Sequence, residues 1–207
     1  MRFLTAGSRA VLIEVDGLDQ VMELHQSLHR SPAPGTVEVV PAATTVLVTF
    51  DPAVTTRERL TADIADIADR RPSTVPPSDQ GLVEIPVVYD GPDLAQVAHS
   101  TGLSIREVVR RHTDARYTVA FGGFAPGFAY LSGLDPLLRL PRRPVPRTRV
   151  APGSVAVADQ FTSVYPSRSP GGWHLLGHTE TAMWDVERDP PALLVPGRHV
   201  RFVQVLV

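Results

Sequence analysis

The chain has 207 residues, 43% of them hydrophobic and 20% charged, with a formal net charge of −2. That length supports one large domain or two small ones, either burying roughly 70% of its unfolded surface. Near-neutral charge leaves no footprint for nucleic-acid binding. No apolar run approaches the ~20 residues that span a bilayer. The opening segment lacks the apolar stretch of a signal peptide, so no membrane association and a cytoplasmic location are expected.

Two absences narrow the chemistry further. There is no cysteine, which removes disulfides, thiolate nucleophiles and cysteine-ligated metal from this chain. All 20 basic residues are arginine. Without lysine the chain supplies no Schiff base, no Walker-A lysine and no biotinylation site. No cofactor is therefore expected on this chain, and any ATP must be handled by a partner polypeptide.

In chain order, residues 10–15 read as a strand. Asp19 can cap a helix to about His29, with Val21, Met22, Leu24 and Leu28 at near-helical period. Residues 37–40 and 45–50 read as a hairpin, and Thr55-Thr-Arg-Glu58 as a capping box opening a helix to about Arg70. The order suits a small α+β sandwich of ferredoxin-like character over residues 1–75. Residues 71–81 form a proline-rich polar linker, ending over 76–81. A second domain over 82–207 opens with a strand at 82–89, then helices at 93–101 and 104–112. A strand follows at 116–121, and short β-runs at 154–158, 162–165, 182–186 and 199–205 indicate a barrel or sandwich.

Residues 121–179 carry a dense run of glycine, proline and aromatic residues. It contains Phe121-Gly-Gly-Phe-Ala-Pro-Gly-Phe-Ala-Tyr-Leu131, Pro141-Arg-Arg-Pro-Val-Pro-Arg147 and Val150-Ala-Pro-Gly-Ser-Val155. It closes with Tyr165-Pro-Ser-Arg-Ser-Pro-Gly-Gly-Trp-His174 and Gly177-His-Thr179. Glycine enters positive φ or admits a close backbone, and proline fixes φ, so these are shaped loops on a β-scaffold.

In their order and spacing these stretches resemble the family of 5-oxoprolinase B subunits and allophanate hydrolase subunit 1, which includes inhibitors of a sporulation histidine kinase. One departure is His178, where the family pattern suggests arginine. The resemblance implies a cyclophilin-like β-barrel for the second domain. It also implies a non-autonomous, hydrolase-type subunit of an ATP-dependent 5-oxoprolinase, opening 5-oxoproline to glutamate. The implied partners are a larger homologous barrel subunit, in a heterotetramer, and a third lactam-hydrolase component. Two other readings stay open: a regulatory protein that blocks a histidine kinase, and a carboxyltransferase-type subunit of a urea-degrading system.

Within the motifs, Phe124, Pro126, Phe128 and Tyr130 are either a loop pinned by its own aromatics or one wall of a binding groove, and the resemblance favours the wall. Tyr165 and Trp173 belong to the same candidate lining, although Trp173 could equally plug the barrel. The run Arg139, Arg142, Arg143, Arg147 and Arg149 is stiffened by prolines. A fixed guanidinium fork grips a carboxylate or phosphate, and Arg142 and Arg147 stand in Pro-Arg pairs resembling the family pattern. Ser154 and Ser169 sit beside backbone turns outside any Gly-x-Ser-x-Gly elbow, so they are candidates for anion hydrogen bonding, not nucleophiles. His174 is a candidate acid/base or a rim histidine bonded to a neighbour. His174 and His178 in a strand lie ~13 Å apart, too far to share a metal.

Overall fold

The computed structural model describes residues 1–70 and 81–206, and the chain divides into two compact units, Met1–Pro76 and Pro77–Val207. The expected linker lies outside the described residues, except for Gly81.

The first unit contains β1 (Arg2–Thr5), β2 (Ala10–Glu14), α1 (Leu18–Arg30), β3 (Thr36–Pro41), β4 (Thr45–Phe50) and α2 (Arg57–Asp69). Its sheet runs β1-β2-β4-β3 with every pair antiparallel. Alternate residues Val11, Ile13, Val46, Val48 and Phe50 point inward, and the helices close the core with Val21, Leu24, Leu28, Leu60 and Ile64. A ferredoxin-like order would place a strand after the second helix. Here the outer strand is instead β1, ahead of β2, a strand the sequence reading did not include. Two caps also differ. Helix α1 starts earlier than expected, with Gly17 as its N-cap, and Asp19 lies in the first turn, where its charge favours the helix dipole. The cap of α2 is Thr56, whose hydroxyl accepts from the Arg59 N–H at 3.3 Å, not Thr55.

The second unit contains β5 (Leu82–Val87), α3 (Leu94–Thr101), α4 (Ile105–Asp114), β6 (Tyr117–Gly122), β7 (Ala129–Ser132), β8 (Arg147–Val150), β9 (Ser154–Ala158), β10 (Phe161–Val164), β11 (Ser169–Gly171), β12 (His174–His178) and β13 (His199–Gln204). Seven strands form one barrel-like sheet in the order β12-β9-β10-β7-β6-β13-β5, and β8 and β11 form a separate two-stranded ribbon. Its outer strands nearly close on each other, because Val88 and His178 exchange two backbone hydrogen bonds of 2.9 Å. Gly177 makes that seam possible, since a Cβ there would strike the Val88 carbonyl and lie 2.9 Å from the Tyr89 Cα. The barrel fills with Ile85, Val87, Leu131, Val155, Val157, Val164 and Phe202, all at most 1% exposed.

One expected strand does not form. Residues 182–186 make only an isolated bridge, Trp184 to Ala192, with Trp184 and Val186 turned outward. Pro190 and Pro191 remove two backbone donors from the facing segment, so no ladder extends from the bridge. Residues 174–178 do form a strand, bulged between Leu175 and Gly177. Among the described residues no three histidine, aspartate or glutamate side chains gather closely enough to hold a metal ion. Nor is any described helix long and apolar enough to cross a membrane.

His112 is fully buried between α4 and the barrel wall. Thr162 donates its hydroxyl to the Ala156 carbonyl at 3.0 Å, so at 2.9 Å it accepts from His112 Nε2–H. The Tyr89 hydroxyl therefore donates to His112 Nδ1 at 2.7 Å, which defines a neutral tautomer. Burial pushes the imidazole down to about 3. The unfolded chain binds a proton near pH 6.5 that the native state refuses. Stability is thus unaffected above that pH and lost as pH falls toward 3. Between about pH 6.5 and 5 the expected loss is about 2 kcal/mol. Urea unfolding followed by tryptophan emission checks this, because Trp173 and Trp184 both lie in the second unit. A flat stability across that window would contradict it.

Candidate functional site

The site is built outward from Asp93, the residue before α3, whose side chain is 4% exposed. It occupies the N-cap position but makes no cap hydrogen bond. Its carboxylate is turned toward the proline-arginine segment. Arg147 donates Nη1 to Oδ2 at 2.8 Å and Nη2 to Oδ1 at 2.7 Å, and Arg143 donates Nη1 to Oδ1 at 2.5 Å. The Leu175 N–H of β12 adds a fourth bond at 2.8 Å. Burial alone would push the Asp93 carboxyl up. The Arg147 and Leu175 hydrogen bonds and the two guanidinium charges outweigh it and hold the group below the usual carboxylate range. One carboxylate thus ties α3, residues 143–147 and β12 together.

The backbone of the same segment is also fixed. The Arg143 N–H donates to the Gly172 carbonyl at 2.7 Å, and His174 Nε2 to the Pro141 carbonyl at 2.9 Å. A carbonyl only accepts, so His174 carries its proton on Nε2 there, and its Nδ1 is covered and without a hydrogen-bond partner. Arg142 stands apart from this network: its Nε is 3.6 Å from Asp159, and both side chains are more than half exposed.

Beside this segment lies a cluster of aromatic rings. Phe128 meets Trp173 at 5.5 Å, Tyr165 at 5.4 Å and Tyr130 at 5.2 Å, all near-perpendicular. Phe121 stacks on Tyr130 at 4.4 Å, and Phe161 closes against both. Such edge-to-face packing satisfies the ring quadrupoles. Gly171 admits the Tyr165 ring, whose hydroxyl would collide with any Cβ at that position. Phe128, Tyr165 and Trp173 are buried, Tyr130 is half-buried, and Phe124 and Pro126 are exposed. Phe124 adopts φ 69° and remains 59% exposed, while contacting Phe128 and Tyr165 edge-on. A non-glycine residue in the left-handed region costs of order 1–3 kcal/mol and persists where the surrounding loop imposes it. The loop is tied by Phe128 N–H to Ala125 O and Gly123 N–H to Phe128 O. It abuts Trp184, which would lie 2.8 Å from a Cβ on Gly127.

Tyr165 links the two halves. Burial pushes its hydroxyl up, opposed by a Trp173 backbone hydrogen bond and by the nearby charges of Arg142 and Arg147. The aromatic cluster and the arginine segment are therefore neighbours, and the structure brings together Phe124, Phe128, Tyr130, Tyr165, Trp173 and Arg147. Ser154 is elsewhere employed, donating to the Ala151 carbonyl at 2.8 Å, and the covered Ser169 hydroxyl has no hydrogen-bond partner. The sequence reading missed Asp93 as a site residue, taking it as the start of a helix. The available signal was the absence of any acidic residue between Asp135 and Asp159, so an arginine of this run that becomes buried takes its counter-ion from elsewhere in the chain.

The family described as carboxyltransferase domain, subdomain C and D, matches residues 1–194. The B subunit of a 5-oxoprolinase from Escherichia coli O157:H7 is 51% identical over 125 residues, covering 59% of this chain and 57% of that protein. The corresponding 5-oxoprolinase B subunit of Bacillus subtilis (strain 168) is 35% identical over 195 residues, 86% of this chain and 79% of the relative. Among solved structures, TTHA0988 is similar with a TM-score of 0.78 and 38% identity, covering 96% of this chain but only 40% of the longer one. A urea amidolyase of K. lactis shares the fold at 20% identity (TM-score 0.73), over 98% of this chain and 15% of that one.

Proposed function

The chain belongs to the family of 5-oxoprolinase B subunits and allophanate hydrolase subunit 1, and from that premise we propose that it is a non-autonomous subunit of an ATP-dependent 5-oxoprolinase. The carrying observation is the pair of relatives named as B subunits of 5-oxoprolinase, one aligned over 86% of this chain. The reaction opens a lactam to a γ-carboxylate, an uphill step that needs coupling to ATP. With no lysine in the chain, a phosphate-binding loop of the Walker type must come from another polypeptide. The matched stretch is 40% of TTHA0988, so in that protein a unit of this kind is part of a longer chain. A larger barrel subunit, together in a heterotetramer, and a third lactam-hydrolase component are the partners in this reading, and the complex is cytoplasmic. The likeness to a urea amidolyase concerns the fold alone at 20% identity, so the urea reading has less support.

On this reading the aromatic cluster and the arginine segment form this chain's share of a site completed by the partner. The exposed Phe124 offers an apolar edge to a small ring, and the exposed guanidinium of Arg142, whose charge reaches Tyr165, is a donor for its carboxylate. The test is 5-oxoproline-dependent ATP hydrolysis. The isolated chain is expected to show none, and the chain co-purified with its partner subunits to show turnover. Robust turnover by the isolated chain would remove the subunit reading, and a fully assembled complex that ignores 5-oxoproline would remove the substrate.

A further inference from the structure

Among the phenylalanine, tyrosine and tryptophan residues of the chain only Phe124 and Trp184 are exposed, at 59% and 41%, and they stand on either side of one loop, residues 123–128. On one side Phe124 meets Tyr165 at 6.3 Å. On the other, Gly127 lies so close to Trp184 that a Cβ on it would come within 2.8 Å of the Trp184 Cβ. The exposed Pro126 fills the strip between the two rings, and Val186, 74% exposed, extends it past Trp184. The loop holds two left-handed residues, Phe124 at φ 69° and Gly127 at φ 83°. Strain kept at a ring that stays in water gains nothing for this chain's own core, and such strain marks a clamp or contact surface.

The two ends of the strip differ in charge. Beyond Tyr165 stand the exposed Arg142 and, on the two-stranded ribbon, Arg149 and Arg168, which flank the Ser169–Val150 pair. Beyond Trp184 stand the exposed carboxylates of Asp185, Glu187 and Asp189, while Arg188 among them is turned to the carbonyls of Ala182 and Pro191.

We propose that this strip is the face on which a companion protein subunit docks, with an apolar pocket for Trp184 and Phe124, acidic groups opposite the ribbon arginines and basic groups opposite residues 185–189. Exposed aromatic residues bordered by arginines are the usual anchors of a protein interface, whereas a small ligand is enclosed by the walls of a cleft. Opposite charge at the two ends fixes the direction in which a partner lies along the strip. TTHA0988 holds a unit of this kind as 40% of a longer chain, so in that protein a further polypeptide accompanies the unit. A subunit seated here also closes over the Phe124 and Arg142 side of the candidate ligand site. That the companion is the larger barrel subunit rests on the proposed function; the docking face itself does not.

The experiment measures, by calorimetry, binding of the purified full chain to the separately purified larger barrel subunit of the same host. Light scattering on a sizing column reads the oligomeric state of each protein alone. Wild type is compared with Trp184→Ala, Phe124→Gly, the double variant Arg149→Glu with Arg168→Glu, and Val37→Ala, a residue 69% exposed on β3 of the first unit. Each variant is checked for an unchanged melting temperature. The expected result is binding weakened about ten-fold or more in both aromatic variants and within about two-fold of wild type in Val37→Ala. The charge-reversed variant is expected to lose affinity at low salt and to differ less from wild type at high salt. Undiminished binding in both aromatic variants overturns the proposal and leaves the subunit reading standing, whereas no binding by wild type overturns both. A homodimer of the chain alone that depends on Trp184 makes the occupant a second copy and overturns the proposal. Trp184-dependent docking in a complex that ignores 5-oxoproline supports the face and removes only the substrate.

Discussion

Asp93→Ala is expected to remove about 3–5 kcal/mol of stability from the second unit, the range for breaking one side of a buried charge pair. The substitution leaves Arg143 and Arg147 without their counter-ion and the Leu175 N–H without an acceptor. Three segments then lose their shared anchor at once. Asp93→Asn preserves shape and is expected to lose less, because its amide oxygen still accepts from Leu175 while the charge is gone. The pH dependence separates the two contributions. A carboxyl held below its ordinary value stabilises the fold fully above about pH 4, and that contribution fades as pH falls through the depressed value. The Asn variant lacks this dependence. Urea unfolding at about pH 7 by tryptophan emission measures the effect, and a loss under about 1 kcal/mol for Asp93→Ala would remove the anchoring role.

Trp173→Ala is expected to cost a similar amount, about 3–5 kcal/mol, the range for truncating a buried aromatic residue. Trp173 is 4% exposed and supports both Phe128 and Tyr130. Its removal opens a cavity that neighbouring rings, fixed by Phe121 and Phe161, are poorly able to fill. Phe124 provides the contrast. Because it is exposed and sits at φ 69°, Phe124→Gly is expected to be neutral or to gain about 0.5–1 kcal/mol. A rim residue with no stability role that still lowers turnover of the complex when removed acts on a ligand or a partner. If Phe124→Gly destabilises the chain by as much as Trp173→Ala, the distinction between rim and plug fails.

The difference between these two aromatics was not legible from the sequence, where Phe124, Phe128 and Trp173 are all single aromatics beside Pro-Gly or Gly-Gly turns. What separates them is non-local. Trp173 is buried because β12 lies next to β9 and brings its start under the 123–128 loop, whereas the local tie of Phe128 to Ala125 turns Phe124 outward. The arginines show the same division. Their crowding and the stiffening prolines were evident from residue types alone. Which guanidinium groups are spent on structure and which stay at the surface was not, because the deciding carboxylate lies 50 residues before Arg143 and 54 before Arg147. The expected strand at 182–186 failed for a related reason: local β-propensity needs a partner with donors, and the facing segment carries Pro190 and Pro191.

By itself the sequence determined what depends on short-range chemistry. Apolar spacing and capping patterns placed α1, α2 and α4 within a few residues, and β-rich apolar runs placed β2, β4 and β9. The absence of lysine and cysteine limited the reactions open to this chain, and the order of the glycine-proline motifs identified its family. Only the tertiary structure decided what depends on closure of the barrel and on strand order. It set β1 at the sheet edge, joined Val88 to His178 across the seam, and gave His112 a neutral tautomer through Tyr89 and Thr162. It also turned Asp93 away from its helix toward two arginines. The physical reason is that a helix or a turn is selected by the preferences of adjacent residues. A buried charge or a ring takes its partners from whatever the barrel's strand order brings within ~3–6 Å of it.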